Sequence, residues 1–202
     1  MRSSNDSVVV AELRRRLFLG DLRPGSPIHI ANIADDVGVS TAPVRDALIR
    51  LSERGLITRV EGRGFFVAST PDHEASELLG ILHKIVTFSI ERGRPANGID
   101  RPEEKRDGPT IPVISNAHDK LNEMLEQICS PPVATVATSI ADRLWDVRRR
   151  IAEQSGVPYP ESKLVQVVTR SLARSDRKMA LLVVNTSYQF CQQFLMKQIV
   201  NS

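Results

Sequence analysis

The sequence has only two cysteines, four histidines and no apolar run long enough to cross a bilayer. Cys129 and Cys191 can make neither a disulfide framework nor a four-cysteine metal site. Both sit on apolar-patterned stretches, where sparse thiols act as small buried hydrophobes in a reducing compartment. The longest apolar stretch considered, Met179–Val184, falls far short of the roughly 18 residues a spanning helix needs. The opening MRSSNDSVVVAELRRR lacks an apolar core followed by a small-residue cleavage site, so no signal peptide is expected. The expected location is the cytoplasm, with no membrane partner. Also missing are a Gly-x-Ser-x-Gly elbow, a P-loop, a dinucleotide fingerprint and a zinc-protease helix motif. Ser, His and Asp occur, but in no recognisable catalytic arrangement. Neither an enzyme nor a bound cofactor is expected.

What is present is ordinary for a folded chain. Its 202 residues allow one domain or two small ones, and 41% apolar with 25% charged residues excludes wholesale disorder. The net charge of +3 permits nucleic-acid binding without demonstrating it. Its distribution says more. Residues 1–70 hold ten arginines, no lysine and eight acids, a net of +2. Arginine suits bidentate contacts to phosphates and guanines, although all-arginine usage also follows from genomic composition.

The pattern changes near Thr70-Pro71-Asp72, which places a boundary between residues 1–70 and 71–202. Val9, Val10, Leu13 and Leu17 recur at helical spacing over Ser7–Leu19. Leu22-Arg23-Pro24-Gly25 reads as a turn. Ile30, Ile33, Ala34 and Val37 mark a second helix, stopped by Gly38. Ser40 is an N-cap candidate for a third helix over Thr41–Arg54, with Pro43 tolerated in its first turn. Leu56–Val60 and Phe65–Ala68 read as strands around a Glu61–Gly64 turn. Three helices and a β-hairpin in under 70 residues form the layout of a winged helix-turn-helix. The remainder reads as helical over Asp72–Arg92, Val113–Cys129, Pro132–Gln154, Pro160–Ala173 and Asp176–Val200, with a long Gly- and Pro-rich loop at 93–112. The fold class is mainly α: a winged helix-turn-helix followed by an all-helical bundle of five helices. The last helix, rich in Met179–Val184, Phe190, Phe194 and Leu195, reads as a central core helix or as part of a dimer surface.

The third helix is the segment that carries chemistry. A helix held by a tight turn against its neighbour can place one face in the major groove of B-DNA. Off its apolar face lie Thr41, Ala42, Arg45, Asp46, Ile49 and Arg50. Arg45 can fork onto guanine O6 and N7, and Ala42 or the Thr41 methyl can touch a thymine methyl. Ser40, Thr41 and the helix N-terminal amides suit a phosphate. Gly62-Arg63-Gly64 at the hairpin tip can bring Arg63 to the backbone or minor groove. The candidate DNA-binding residues are therefore Ser40, Thr41, Ala42, Arg45, Arg50, Gly62, Arg63 and Gly64. Arg14–Arg16 read either as a solvated helix face or as phosphate contacts.

Gly38-Val39-Ser40, Pro43–Leu48, Arg50-Leu51, Gly55-Leu56-Ile57 and Gly62–Val67, together with Leu22–Gly25 and Ile33-Ala34, resemble the N-terminal domain of GntR-family bacterial transcription regulators. The resemblance covers about residues 8–69. The helical remainder is similar, more loosely, to the FadR subfamily, whose C-terminal domain binds small carboxylates and dimerises. The resemblance implies double-stranded DNA, a second copy of the chain and a small organic-acid effector as partners. Two departures stand out. The family commonly has arginine then threonine where Thr41 and Ala42 stand, and often a charged residue where Ile30-Ala31-Asn32 open the second helix. Many FadR-type domains also hold a metal with one aspartate and three histidines. His118 fits the first histidine position, but Val165 and Ser187 stand at the later two, so no metal is expected. Effector residues stay unassigned among Asn116, Arg143, Trp145, Arg148, Asn185 and Tyr188, with Arg148–Arg150 reading as a solvated helix face and Trp145 as core. An effector-independent architectural or plasmid-maintenance DNA-binding protein remains the alternative.

Overall fold

A computed structural model describes residues 2–93, 113–155 and 160–201, and the chain divides into two compact units, Met1–Ser69 and Thr70–Ser202. All but Gly93 of the loop expected at 93–112 lies outside the described residues.

The first unit runs α1 (Arg2–Leu19), α2 (Ile30–Val37), α3 (Thr41–Glu53), β1 (Ile57–Val60) and β2 (Gly64–Val67). It is a winged helix-turn-helix. Val9, Leu13 and Leu17 of α1 are fully buried, and α1 and α2 both pack on α3 through its Val44, Ala47, Leu48 and Leu51. α1 begins five residues before its apolar pattern, because extending a formed helix adds one hydrogen bond per residue fixed. Gly38 ends α2 in the left-handed region, with φ 74°, and its N–H caps the carbonyls of Ala34 and Asp35. The hairpin is antiparallel, with Ile57 opposite Val67 and Val60 opposite Gly64. Its far edge is covered by residues 25–28, where Ile28 N–H donates to the Phe65 carbonyl at 2.8 Å and Val67 N–H to the Ser26 carbonyl at 2.9 Å.

An arginine cluster locks α1 to α2. Arg15 donates to Glu12 through Nε and Nη2, and Arg16 bridges Glu12 and Asp36 at 2.7 Å each. The hydrogen bonds from Arg15, then those from Arg16, hold the Glu12 carboxyl at about 2, against the opposing effect of partial burial. A carboxyl depressed in the folded state stabilises fully above its unfolded value, and that contribution is lost as pH falls through the folded one. The stability gap between wild type and Glu12→Gln should therefore be constant above about pH 5 and close towards pH 2. Denaturant unfolding of both proteins across that range checks this. A pH-independent gap would contradict the cluster.

The second unit holds α4 (Asp72–Arg92), α5 (Val113–Ile128), α6 (Pro131–Arg143), α7 (Trp145–Ser155), α8 (Pro160–Ala173) and α9 (Arg177–Asn201). α9 packs on α4 and α8, and α5 packs on α6 and α8. Six helices are described where the sequence pattern gave five. The single helix expected over Pro132–Gln154 breaks at Leu144, with φ −84° and ψ 1°. The physical cause is burial. Ile140–Asp142 and Leu144–Arg148 are all buried, and one straight helix cannot bury consecutive residues all round at a two-sided position. The break redirects the chain so that Leu144, Trp145 and Val147 all reach the core. No helix among the described residues is long and apolar enough to cross a membrane.

Candidate nucleic-acid interface

α3 is presented by the packing just described. With Val44, Ala47, Leu48 and Leu51 held inward, Thr41, Ala42, Arg45, Asp46 and Arg50 are exposed, and Ile49 is half-buried. Ser40 occupies the N-cap in extended conformation, with φ −72° and ψ 167°, yet its hydroxyl makes no capping hydrogen bond. The first-turn amides of an α-helix have no intrahelical partner and carry the positive end of the dipole. Those amides and the exposed Ser40 hydroxyl are therefore available to an anion. Arg45 makes no ion pair or hydrogen bond with any other described residue. Its guanidinium stands in solvent one turn into the helix. Arg50 is exposed further along the same helix.

The hairpin tip exposes Gly62, Arg63 and Gly64. Gly62 and Gly64 have φ of 70° and 95°. A Cβ at either would meet nothing within 4 Å, so the turn needs glycine for its backbone conformation and not for space. The Arg63 guanidinium lies over the Phe66 ring, 5.4 Å from its centroid. That stacking extends the arginine from the wing while leaving it exposed. Arg15 and Arg16 are committed to the Glu12–Asp36 cluster, and Arg14 lies over Phe18 at 5.6 Å. The phosphate-contact alternative for Arg15 and Arg16 thus competes with partners they already have.

Residues 5–67 match the family model described as bacterial regulatory proteins, gntR family. The N-terminal unit is thus similar to the gntR-family winged helix over nearly its whole length. The chain is 28% identical over 80 residues to the uncharacterized HTH-type transcriptional regulator YdhC of Bacillus subtilis. It is 27% identical over 79 residues to the HTH-type transcriptional regulator McbR of Escherichia coli. It is 31% identical over 96 residues to the gluconate operon transcriptional repressor of Bacillus licheniformis. These matches span 40%, 39% and 48% of this chain but only 36%, 36% and 39% of the relatives. The solved structure of E. coli McbR/YncC superposes with a TM-score of 0.62 over 96% of this chain and 98% of that one, at 16% identity. A putative GntR regulator from Rhodococcus gives 0.54 over the same shares at 18% identity. These two likenesses establish the fold.

Beyond the N-terminal unit, the bundle holds a polar cluster that sequence reasoning missed. His118 of α5 is wholly buried between Asp142 of α6 and Arg148 of α7. Arg148 Nη2 lies 2.6 Å from His118 Nδ1, and Asp142 Oδ1 lies 2.5 Å from His118 Nε2. A guanidinium only donates, so Nδ1 accepts and Nε2–H donates to the carboxylate. Arg148 Nη2 also donates to the Ala141 carbonyl at 2.8 Å. This corrects the expectation of a solvated arginine face. Arg148 is core, Arg149 pairs with Asp146 and Glu153, and Arg150 pairs with Asp72 and Asp146. Those ion pairs give the Arg150 guanidinium a raised pKa despite its burial.

The metal suggested by the FadR resemblance does not fit these residues. A histidine ligand must offer a lone pair, and both His118 nitrogens are committed to protein partners. No group of three or more His, Cys, Asp or Glu among the described residues is placed to hold a metal ion. Arg148, His83 and Tyr188 line a largely apolar cavity of about 90 Å³ with Leu82, Leu144 and Val184. His83 stacks on Tyr188 at 4.0 Å and bonds Asn185 at 2.7 Å. Arg143 pairs instead with Glu74, Trp145 is core, and the Asn116 side chain lies outside the described residues.

Proposed function

We propose that the chain is a sequence-specific DNA-binding transcription regulator, acting as a homodimer on a palindromic operator. The observation that carries this is the outward face of α3, where an exposed Arg45, without a partner among the described residues, stands beside an N-cap serine whose side chain makes no capping hydrogen bond. α3 reads base edges in the major groove through Thr41, Ala42 and Arg45, and Ser40 with the first-turn amides holds a phosphate. Arg50 and the Arg63 wing add backbone contacts. One winged helix reads few base pairs, so two copies on a symmetric site are needed for useful discrimination. A small organic acid entering the Arg148 cavity would modulate binding only by favouring one dimer geometry.

Binding monitored by fluorescence anisotropy should weaken by roughly 10³-fold between 50 and 200 mM salt, the response for about six neutralised phosphates. A flat salt response would contradict the interface. The effector-independent reading is supported by cavity size, because about 90 Å³ is well below the ~300–1,000 Å³ of drug-sized ligand sites. A melting-temperature rise with millimolar small organic acids supports the effector reading, and an unchanged melting temperature across such a panel supports the alternative.

A further inference from the structure

We infer that Asp46 is a specificity-determining residue of the α3 face, and that the base it selects is a cytosine. The inference rests on the DNA-reading role given to α3 above and names a contact which that role leaves open. Val44, Ala47, Leu48 and Leu51 are buried, so they fix which way α3 is turned. At about 100° per residue, the line opposite their centre runs among Ala42, Asp46, Ile49 and Glu53, each within about 30° of it. Arg45 and Arg50 flank that line at about 70° on either side. A recognition helix in the major groove uses its N-terminal residues on the base edges. Of the four central residues, Ala42 and Asp46 lie in the N-terminal half of α3, and both are exposed. Asp46 therefore faces base edges, where an ionised carboxylate only accepts hydrogen bonds.

The fold makes no use of an acid at this position. Asp46 has no hydrogen bond or ion pair with any other described residue, including Arg50 one turn further on. Arg45 is its chain neighbour, but consecutive helical residues do not face each other. The helix dipole favours an acid within the first turn, and Asp46 lies in the second. Against a polyanion its charge lowers affinity for every sequence.

What the carboxylate adds is discrimination. In the major groove guanine offers two acceptors, N7 and O6, and thymine offers the O4 acceptor beside a methyl group, so both repel it. Adenine sets an N7 acceptor beside its N6 donor. Cytosine presents the N4 amino donor with no acceptor of its own. Arg45 and Asp46 thus have opposite preferences on one helix, guanine for the guanidinium and cytosine for the carboxylate.

The test is selection of random duplex DNA at physiological salt by the full wild-type chain, Asp46→Ala and Asp46→Asn, with affinity for a random-sequence duplex read by fluorescence anisotropy. The wild-type motif should contain a cytosine whose preference falls at least about fivefold in Asp46→Ala. In Asp46→Asn the same position should turn to adenine, because a side-chain amide forks onto N6 and N7. Both variants should bind the random duplex several-fold more tightly than wild type. Glu53→Ala, on the same line but about 10 Å further along α3, should tighten random binding and leave the motif unchanged. A wild type that enriches no motif would overturn the DNA-reading role of α3 and this inference with it. A wild-type motif that persists unchanged in both Asp46 variants would overturn this inference alone, whatever happens to random binding, and would make Asp46 a solvated charge. Asparagine matches aspartate in shape at this exposed position, so Asp46→Asn decides the matter by itself if Asp46→Ala folds poorly.

Discussion

Arg45→Ala should weaken binding to the preferred operator by roughly 5- to 150-fold per half-site, and should relax selection at one base position. The range is the ~1–3 kcal/mol of discrimination that a bidentate arginine–guanine contact supplies. The residue can supply it because it is exposed on the second turn of α3 and has no partner to surrender among the described residues. Its loss leaves Val44, Ala47 and Leu48 untouched, so the fold should persist with unchanged helix content. Arg63→Ala removes a wing cation stacked on Phe66, and should lower affinity similarly for all sequences while reducing the salt slope. Quantitative binding-site selection with both variants separates the two roles. Unchanged base preference in Arg45→Ala would remove it from base reading.

Asp142→Ala should destabilise the second unit by about 3–5 kcal/mol, the usual cost of removing one member of a buried charged set. Asp142 is 1% exposed and receives hydrogen bonds from His118 and from Asn122, the latter at 3.2 Å. Without it, His118 Nε2–H loses its acceptor and the His118–Asp142–Arg148 cluster loses its carboxylate. Asp142→Asn keeps an acceptor oxygen but not the charge, so its loss should be smaller. The chain's one tryptophan, Trp145, is buried beside this cluster in sequence and reports unfolding of the second unit directly. Denaturant titration followed by its fluorescence gives the number. A loss below about 1 kcal/mol would mean that the cluster is incidental to the bundle.

Legibility in the sequence followed locality. α2 and α4 are found over the residues their patterns mark, because short-range apolar spacing and a following glycine define them. The α3 face follows from the same logic: once Val44, Ala47, Leu48 and Leu51 turn inward, the helical period sends Thr41, Ala42 and Arg45 outward. The break at Leu144 was not legible. Leu144 and Trp145 each continue a helical pattern, and only the surrounding core demands that both be buried. The His118–Asp142–Arg148 cluster was hidden for a similar reason. Its members lie on three helices and are 24 and 6 residues apart, and nothing local marks Arg148 as different from Arg149 or Arg150. Arg15 and Arg16 carried the same ambiguity until α2 brought Asp36 alongside.

The most direct test of sequence-specific regulation is selection of random duplex DNA by the purified full chain at physiological salt. The account predicts enrichment of a palindrome whose half-sites are about one helical turn, 10–10.5 base pairs, apart, or a multiple of it. Salt-sensitive binding without an enriched motif would contradict it and leave an architectural DNA-binding protein.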